Sequence, residues 1–243
     1  MSDHLVEAIG LSYAYPDGTT ALDGASFRVT HGESVAIVGG NGAGKSTLLL
    51  MMAGLLEPNA GEVRIGDVSV TPGSRDFVRR TIGFVFQDAD DQLFMPTVKD
   101  DVAFGPLNFG VPAEEAASLA ATALDVVGAS HLAERPPYHL SGGEKRAVAL
   151  AGVIAMGPSV LLLDEPPAGL DPAARRRLIR LLQAFEHTRI VATHDLDFVL
   201  DVCARVLVMD GGRIVADGVP DAVFRDEPLL ARCHLEAPLR WQG

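Results

Sequence analysis

Residues Gly39 to Thr47 read Gly-Gly-Asn-Gly-Ala-Gly-Lys-Ser-Thr and lie between an apolar run, Ser34 to Val38, and a helix-like run, Ser46 to Met52. The run satisfies G-x-x-x-x-G-K-[ST] in the strand-then-helix setting that the motif requires. Glycines 39, 40, 42 and 44, with Asn41 and Ala43 between them, let the backbone curl so that successive N–H groups face one point. The helix that follows adds the positive end of its dipole, and the concavity suits an anion. A turn that only joined strand to helix would not need Lys45, placed to reach the outer phosphates of a bound chain, or Ser46, placed to reach Mg²⁺. The loop therefore predicts an α/β fold organised around a phosphate site.

The chain has 243 residues, enough for one core with a small attached subdomain. Its 48% apolar and 21% charged composition suits a folded domain. No apolar run reaches the ~20 residues that span a bilayer, and Met1 to Gly10 lacks the basic-then-apolar pattern of a signal peptide, so a cytosolic protein is expected. Cys203 and Cys233 have no metal-type spacing and read as ordinary thiols. A net charge of −12 argues against a nucleic-acid partner, since phosphate neutralisation needs clustered cations. The one basic cluster, Arg175 to Arg177, reads as a solvated helix face.

Leu5 to Thr30 and Glu62 to Val70 carry short β-rich segments around the turns Tyr15-Pro16-Asp17-Gly18 and Gly66-Asp67, a pattern of antiparallel hairpins. Val35 to Val38, Val160 to Leu163, Ile190 to Ala192 and Val206 to Met209 are continuous apolar runs, the pattern of buried parallel strands. Thr97 to Met156 is alanine-rich and helical in pattern, with Pro106, Pro112 and Pro136-Pro137 as breakers. The expectation is a single domain over 1–243. Residues 1–95 and 157–223 form an α/β core with an antiparallel β subdomain, 96–156 an inserted helical subdomain, and 224–243 a short tail.

Val160 to Glu165 is a strand ending in two carboxylates, at the sheet edge where α/β proteins bind ligands. Strand-end acids often only cap the next helix, but beside a phosphate loop Asp164 is placed to hold Mg²⁺ through water. Glu165, one residue on, is placed to orient and deprotonate an attacking water. Ser141-Gly142-Gly143-Glu144 is a capping box, S-x-x-E, that also exposes backbone N–H groups at a helix start. One nucleotide does not need two such sites far apart in sequence. Ser141 and Gly143 are therefore expected to close over a γ-phosphate held by a second copy of the chain.

The combination resembles the nucleotide-binding domain of ABC ATPases, a P-loop NTPase fold, over roughly Leu5 to Val223. The resemblance implies ATP and Mg²⁺ as ligands, with Tyr15 stacking on adenine and Gly39 to Thr47 cradling phosphate. It implies Gln87 as the lid that senses Mg²⁺ and water, Leu140 to Glu144 as the signature, Asp171 in the D-loop and His194 on the γ-phosphate. Taken singly, Tyr15 also reads as a turn-packing ring and His194 as a core histidine. Phe84 to Phe94, with Asp-Asp-Gln-Leu-Phe at 90–94, resembles the Q-loop of energy-coupling-factor importers, as do Tyr15 to Gly18 and Asp101 to Pro106. An acidic pair beside Leu93 and Phe94 also suits a groove for a partner's helix, or the two apolar residues are core.

The likeness implies a peripheral ATPase on the cytoplasmic face of the membrane. It would act as a head-to-tail homodimer with an integral membrane coupling subunit and substrate-binding membrane subunits. The short tail after Val223 leans toward the cobalt or nickel branch; the alternatives are a vitamin importer or a soluble ABC ATPase such as one serving iron–sulfur cluster assembly. Asp88, Ala89, Pro167 and Gly40 depart from the family's usual residues and remove no catalytic atom.

Overall fold

The computed structural model describes residues 4–242. The first half runs β1 (His4–Ala14), β2 (Thr20–Thr30), β3 (Ser34–Val38), α1 (Lys45–Met52), β4 (Ala60–Ile65), β5 (Val68–Ser69), α2 (Arg75–Thr81) and β6 (Ile82–Val85). Then come α3 (Val98–Asn108), α4 (Ala113–Val126), α5 (Gly142–Ile154), β7 (Val160–Asp164), α6 (Pro172–Ala184) and β8 (Thr188–Ala192). The chain continues through α7 (Leu196–Val202), β9 (Arg205–Asp210), β10 (Arg213–Gly218), α8 (Pro220–Val223) and α9 (Glu227–Arg232).

The strands form two sheets. An antiparallel sheet has the order β2-β1-β4-β5, and its hairpins close where Gly18 and Gly66 supply φ of 89° and 56°. The other sheet has the order β10-β9-β3-β8-β7-β6, parallel except for the edge strand β10. Every residue of β3 and β7 is buried, which explains their unbroken apolar sequence. Side-chain alternation splits the core. Val35 and Ile37 face the antiparallel sheet and α1, whereas Ala36 and Val38 face the helices and α7. Leu48 and Leu49 of α1 are fully buried between the sheets, and each contributes about 2 kcal/mol through removal from water.

Ile37 and Asp164 flank Ala192 in register, so the segments leaving β3, β7 and β8 emerge together at one edge. Helices α3, α4 and α5 pack on one another. Pro106 does not break α3, as the sequence suggests, but sits in its last turn. Only the bond its missing N–H would make is lost there, and Phe109 N–H still closes the helix onto Gly105 and Pro106 carbonyls. Pro112 caps α4, and Pro137 opens a short 3₁₀ turn before the signature.

Two strands lie outside the runs singled out from sequence. Strand β6 is four residues at the sheet edge, and β10 alternates half-buried and exposed positions. The segment beyond Val223 is more than a loose extension: Phe224, Leu229, Leu230, Cys233 and Leu235 are buried in the main core. Arg175 departs from the solvated-face expectation. Its guanidinium pairs with Asp195, with Nη2 at 3.1 Å from Oδ1, and stacks over Phe198, while Arg176 and Arg177 are exposed. Among the described residues no helix is long and apolar enough to cross a membrane. Cys203 and Cys233 are both buried free thiols, and burial pushes Cys203 up to about 12.

Candidate functional site

A cleft of about 530 Å³ opens at the edge where β3, β7 and β8 end. Its wall is the loop from Asn41 through Gly42, Ala43 and Gly44 to Lys45, Ser46 and Thr47, with Tyr15, Gln87, Glu165 and His194 around it. The loop's glycines answer to geometry. Gly44 has φ 101°, and a Cβ there would lie 2.3 Å from the Ala21 carbonyl oxygen. Gly39 is packed so closely on β9 that a Cβ would lie 2.3 Å from the Met209 carbonyl oxygen, and Gly40 lies against Cys233 and His234. Gly39 and Gly40 therefore sit behind the cleft rather than in its wall.

Lys45 begins α1 and turns back over the loop, its Nζ donating to the carbonyls of Gly39 at 2.9 Å and Gly40 at 3.1 Å. It is buried, with Glu165 Oε1 4.0 Å away. Burial lowers its pKa, although Glu165 and Asp164 pull the other way. Asp164 has the mirror problem. Burial raises its pKa against the hydrogen bond from Ser46, and its Oδ1 has no hydrogen-bond partner. A buried ammonium whose hydrogen bonds run only to carbonyls, and a buried carboxylate with one unpartnered oxygen, suit an incoming phosphate and a cation respectively. The oxygen donors Ser46 and Asp164 fit Mg²⁺, which prefers oxygen ligands and shares its shell with substrate phosphates.

Glu165 follows β7 in the left-handed region, at φ 44°, with its N–H bonded to the Ala192 carbonyl at 2.8 Å. This costs on the order of 1 kcal/mol and fixes the direction of the side chain. Oε1 is 2.9 Å from His194 Nδ1, and Oε2 accepts from Thr193 Oγ1 at 2.8 Å. Thr193 Oγ1 in turn accepts from Asp195 N at 3.1 Å, so β7 and β8 are tied across the cleft. Tyr15 leans over the loop, its hydroxyl 2.9 Å from Thr47 Oγ1, with Tyr13 edge-on at 5.1 Å.

The other motif residues lie elsewhere. Ser141 caps α5 by accepting from Glu144 N–H, and the Glu144 carboxylate returns to Ser141 N at 2.8 Å. Gly142 follows in the first turn, and Gly143 faces Leu170 and Ala174 rather than the cleft. Asp171 caps α6 through Ala173 N and Ala174 N. None of these four lines the phosphate cleft of its own chain.

Two residues outside the motif readings join the parts. Thr193 is fully buried between Glu165 and Asp195; its signal in the sequence is only that it precedes His194 at a strand end. Arg146, on the first turns of α5, donates from Nη2 to the Gln87 carbonyl at 2.8 Å and from Nη1 to the Ala168 carbonyl. A cation near a helix start, where acids are favoured, was the available clue.

A separate groove of about 800 Å³ runs beside β6 and α3. It is lined by Leu93, Phe94, Phe104 and Phe109 with Arg79, Arg80 and Asp91 among them. Phe94 is 63% exposed and edge-on to Phe104 at 4.8 Å, while Leu93 is half-buried against the core. The backbone holding Phe94 is anchored by Asp101, whose Oδ1 accepts from Phe94 N and Met95 N at 3.0 Å each.

The sequence pattern of the family described as ABC transporter matches residues 22–168, more than half of the chain. A Geobacter sulfurreducens protein named as an ABC transporter ATP-binding protein is 57% identical over 243 residues, covering 100% of this chain and 98% of that one. The energy-coupling factor transporter ATP-binding protein EcfA of Methanothermobacter thermautotrophicus is 45% identical over 239 residues, 96% of this chain and 77% of its own. Among solved structures, CbiO1 of Clostridium perfringens, described as part of the ABC transporter complex CbiONQ, superposes with a TM-score of 0.82 at 40% identity, covering 95% of this chain and 94% of that one. An ATP-binding cassette whose dimer holds ADP and Pi after hydrolysis gives 0.81 at 27% identity, over 88% and 98%. The chain belongs to the ABC transporter ATPases, in the energy-coupling-factor group.

Proposed function

We propose that this ATPase drives import of cobalt or nickel ions as one of two identical copies under a membrane coupling subunit. The observation that carries the catalytic part is the Glu165 carboxylate, held between His194 Nδ1 and Thr193 Oγ1 at the rim of the phosphate cleft. Loop N–H groups and Lys45 bind the outer phosphates, and Lys45 exchanges its carbonyl partners for phosphate oxygens. Ser46, Asp164 and Gln87 would hold Mg²⁺, which supplies neutralisation of phosphate charge. Glu165 takes the proton of the attacking water, while His194 steadies that carboxylate and faces the γ-phosphate. Tyr15 offers its ring to the adenine.

Ser141 and Gly143 are turned away from their own cleft, which favours a composite site completed by a second copy. In a two-fold arrangement each signature serves the other chain's ATP, and Asp171 lies near the junction. ATP then bridges the subunits, and loss of its γ-phosphate releases them. The groove around Phe94 is the docking face for a helix of the coupling subunit, with substrate-binding membrane subunits beyond it, so the chain works as a peripheral protein on the cytoplasmic face. The ion assignment rests on likeness to CbiO1. Isolating the intact complex tests the whole reading. Two copies of this chain and ATP-dependent cobalt or nickel uptake are expected; one copy beside a different ATPase, or vitamin uptake, would overturn the homodimer or the cargo.

A further inference from the structure

Residues 224–242 touch both halves of the catalytic cleft from behind. At one end the chain leaves α9 through His234, at φ 55°, and that corner packs on the phosphate loop. A Cβ at Gly40 would lie 3.2 Å from His234 Cβ and 3.3 Å from the Cys233 carbonyl oxygen. At the other end the chain grips α7, the seven-residue helix that starts two residues after His194. The Asp197 carboxylate accepts from Leu239 N at 2.7 Å and from Arg240 Nε at 2.8 Å. Arg240 Nη2 donates to the Asp197 carbonyl at 2.9 Å and to Asp201 Oδ1 at 3.0 Å. Between the two ends the segment is fixed by burial of Leu230, Cys233 and Leu235, and by Trp241 packed near Phe224 with Arg225 stacked on its ring at 4.9 Å.

We propose that this segment is a clamp that couples the phosphate loop to the His194 strand end, with Asp197 and Arg240 as positioning residues for hydrolysis. A helix of seven residues has too few internal bonds to hold its own direction. Its N-terminus is held by Asp195, which accepts from Phe198 N at 2.8 Å and pairs with Arg175, and its outer face is held by Arg240. Slackening that face lets α7 tilt and His194 leave Glu165. The same clamp presses on Gly40, so a phosphate-induced shift of the loop reaches α7 through buried residues rather than through solvent. The inference rests on the catalytic reading of Glu165 and His194, and not on the membrane partner or the cargo.

The test uses the full chain and its sole tryptophan, Trp241, as the reporter. Arg240→Ala is expected to lower kcat for ATP about tenfold with KM little changed, because positioning rather than binding is lost. Arg240→Lys, which keeps the charge and one donor, recovers part of it. In the chain carrying Glu165→Gln, where ATP persists, ATP and ADP are expected to shift Trp241 emission differently. Wild-type kcat in Arg240→Ala overturns the proposal. So does Trp241 emission identical in the free, ADP and ATP states, a measurement that needs no clamp variant to fold. Failure of Glu165→Gln to arrest turnover would instead point at the catalytic reading itself.

Discussion

Oε1 of Glu165 lies 2.9 Å from Nδ1 of His194, across the gap between the ends of β7 and β8. The contact joins a residue in a left-handed backbone, at φ 44°, to one just past a strand end. Its buried support is Thr193, which donates to the same carboxylate and receives Asp195 N. Thr193→Val keeps the shape and removes both bonds, leaving a polar N–H and a carboxylate oxygen short of partners. We expect kcat to fall about tenfold and stability by about 1–2 kcal/mol, read from steady-state hydrolysis and urea unfolding. Unchanged kcat would show that Glu165 is aimed by His194 alone.

Arg146 ties the signature helix to the carbonyls of Gln87 and Ala168. Replacing it by alanine frees the helical subdomain from both loops, so kcat should drop about fivefold or more with roughly 1 kcal/mol of stability. Arg146→Lys should not restore it, because one ammonium lacks the planar fork that serves two separate carbonyls. Full rescue by lysine would reduce the role of Arg146 to charge.

The Arg175–Asp195 pair predicts a pH signature. Burial pushes the Asp195 carboxyl up, but the Arg175 guanidinium and Phe198 N–H outweigh it and hold the group below its ordinary value. A depressed folded pKa stabilises the fold above the unfolded value, and that contribution is lost as pH falls through the depressed one. Unfolding free energies of the wild type and Arg175→Ala, read from urea titrations, should therefore differ at neutral pH by about 1 kcal/mol after screening, and converge in acid below the ordinary carboxylate range. A gap that stays constant into acid would mean that Arg175 acts by packing on Phe198.

Phe94→Asp places a charge on the exposed ring position of the groove while leaving Leu93 in the core. Hydrolysis by the purified chain should stay within about twofold, and copurification with the membrane subunits should be lost. Retained copurification with normal transport would place docking elsewhere. Charge reversal at Asp90 and Asp91 tests the acidic flank, although Asp90 also pairs with Lys145 in this chain.

The parts legible in the sequence are those in which one residue type at one spacing has one structural use. Gly44 before Lys45, the buried run ending at Asp164, and the Ser141–Glu144 box are of this kind, because motif and backbone demand coincide. Strands β6 and β10 are not: β6 is short and flanked by a motif, and β10 at the edge carries Arg213 and Asp217 facing ion-pair partners. Thr193, Arg146 and Arg240 are not legible either, since each has a partner 28 to 59 positions away that no local pattern links. Pro106 misleads because proline in a last helical turn costs only one bond.

The most direct measurement is the mass of the Glu165→Gln chain by analytical ultracentrifugation with Mg²⁺ and ATP, then with ADP. A dimer in ATP, a monomer in ADP, and loss of the ATP dimer when Ser141→Arg is added would show that Ser141 of one copy closes on the ATP of the other while Glu165 governs its removal. A monomer in both nucleotides would contradict the composite site.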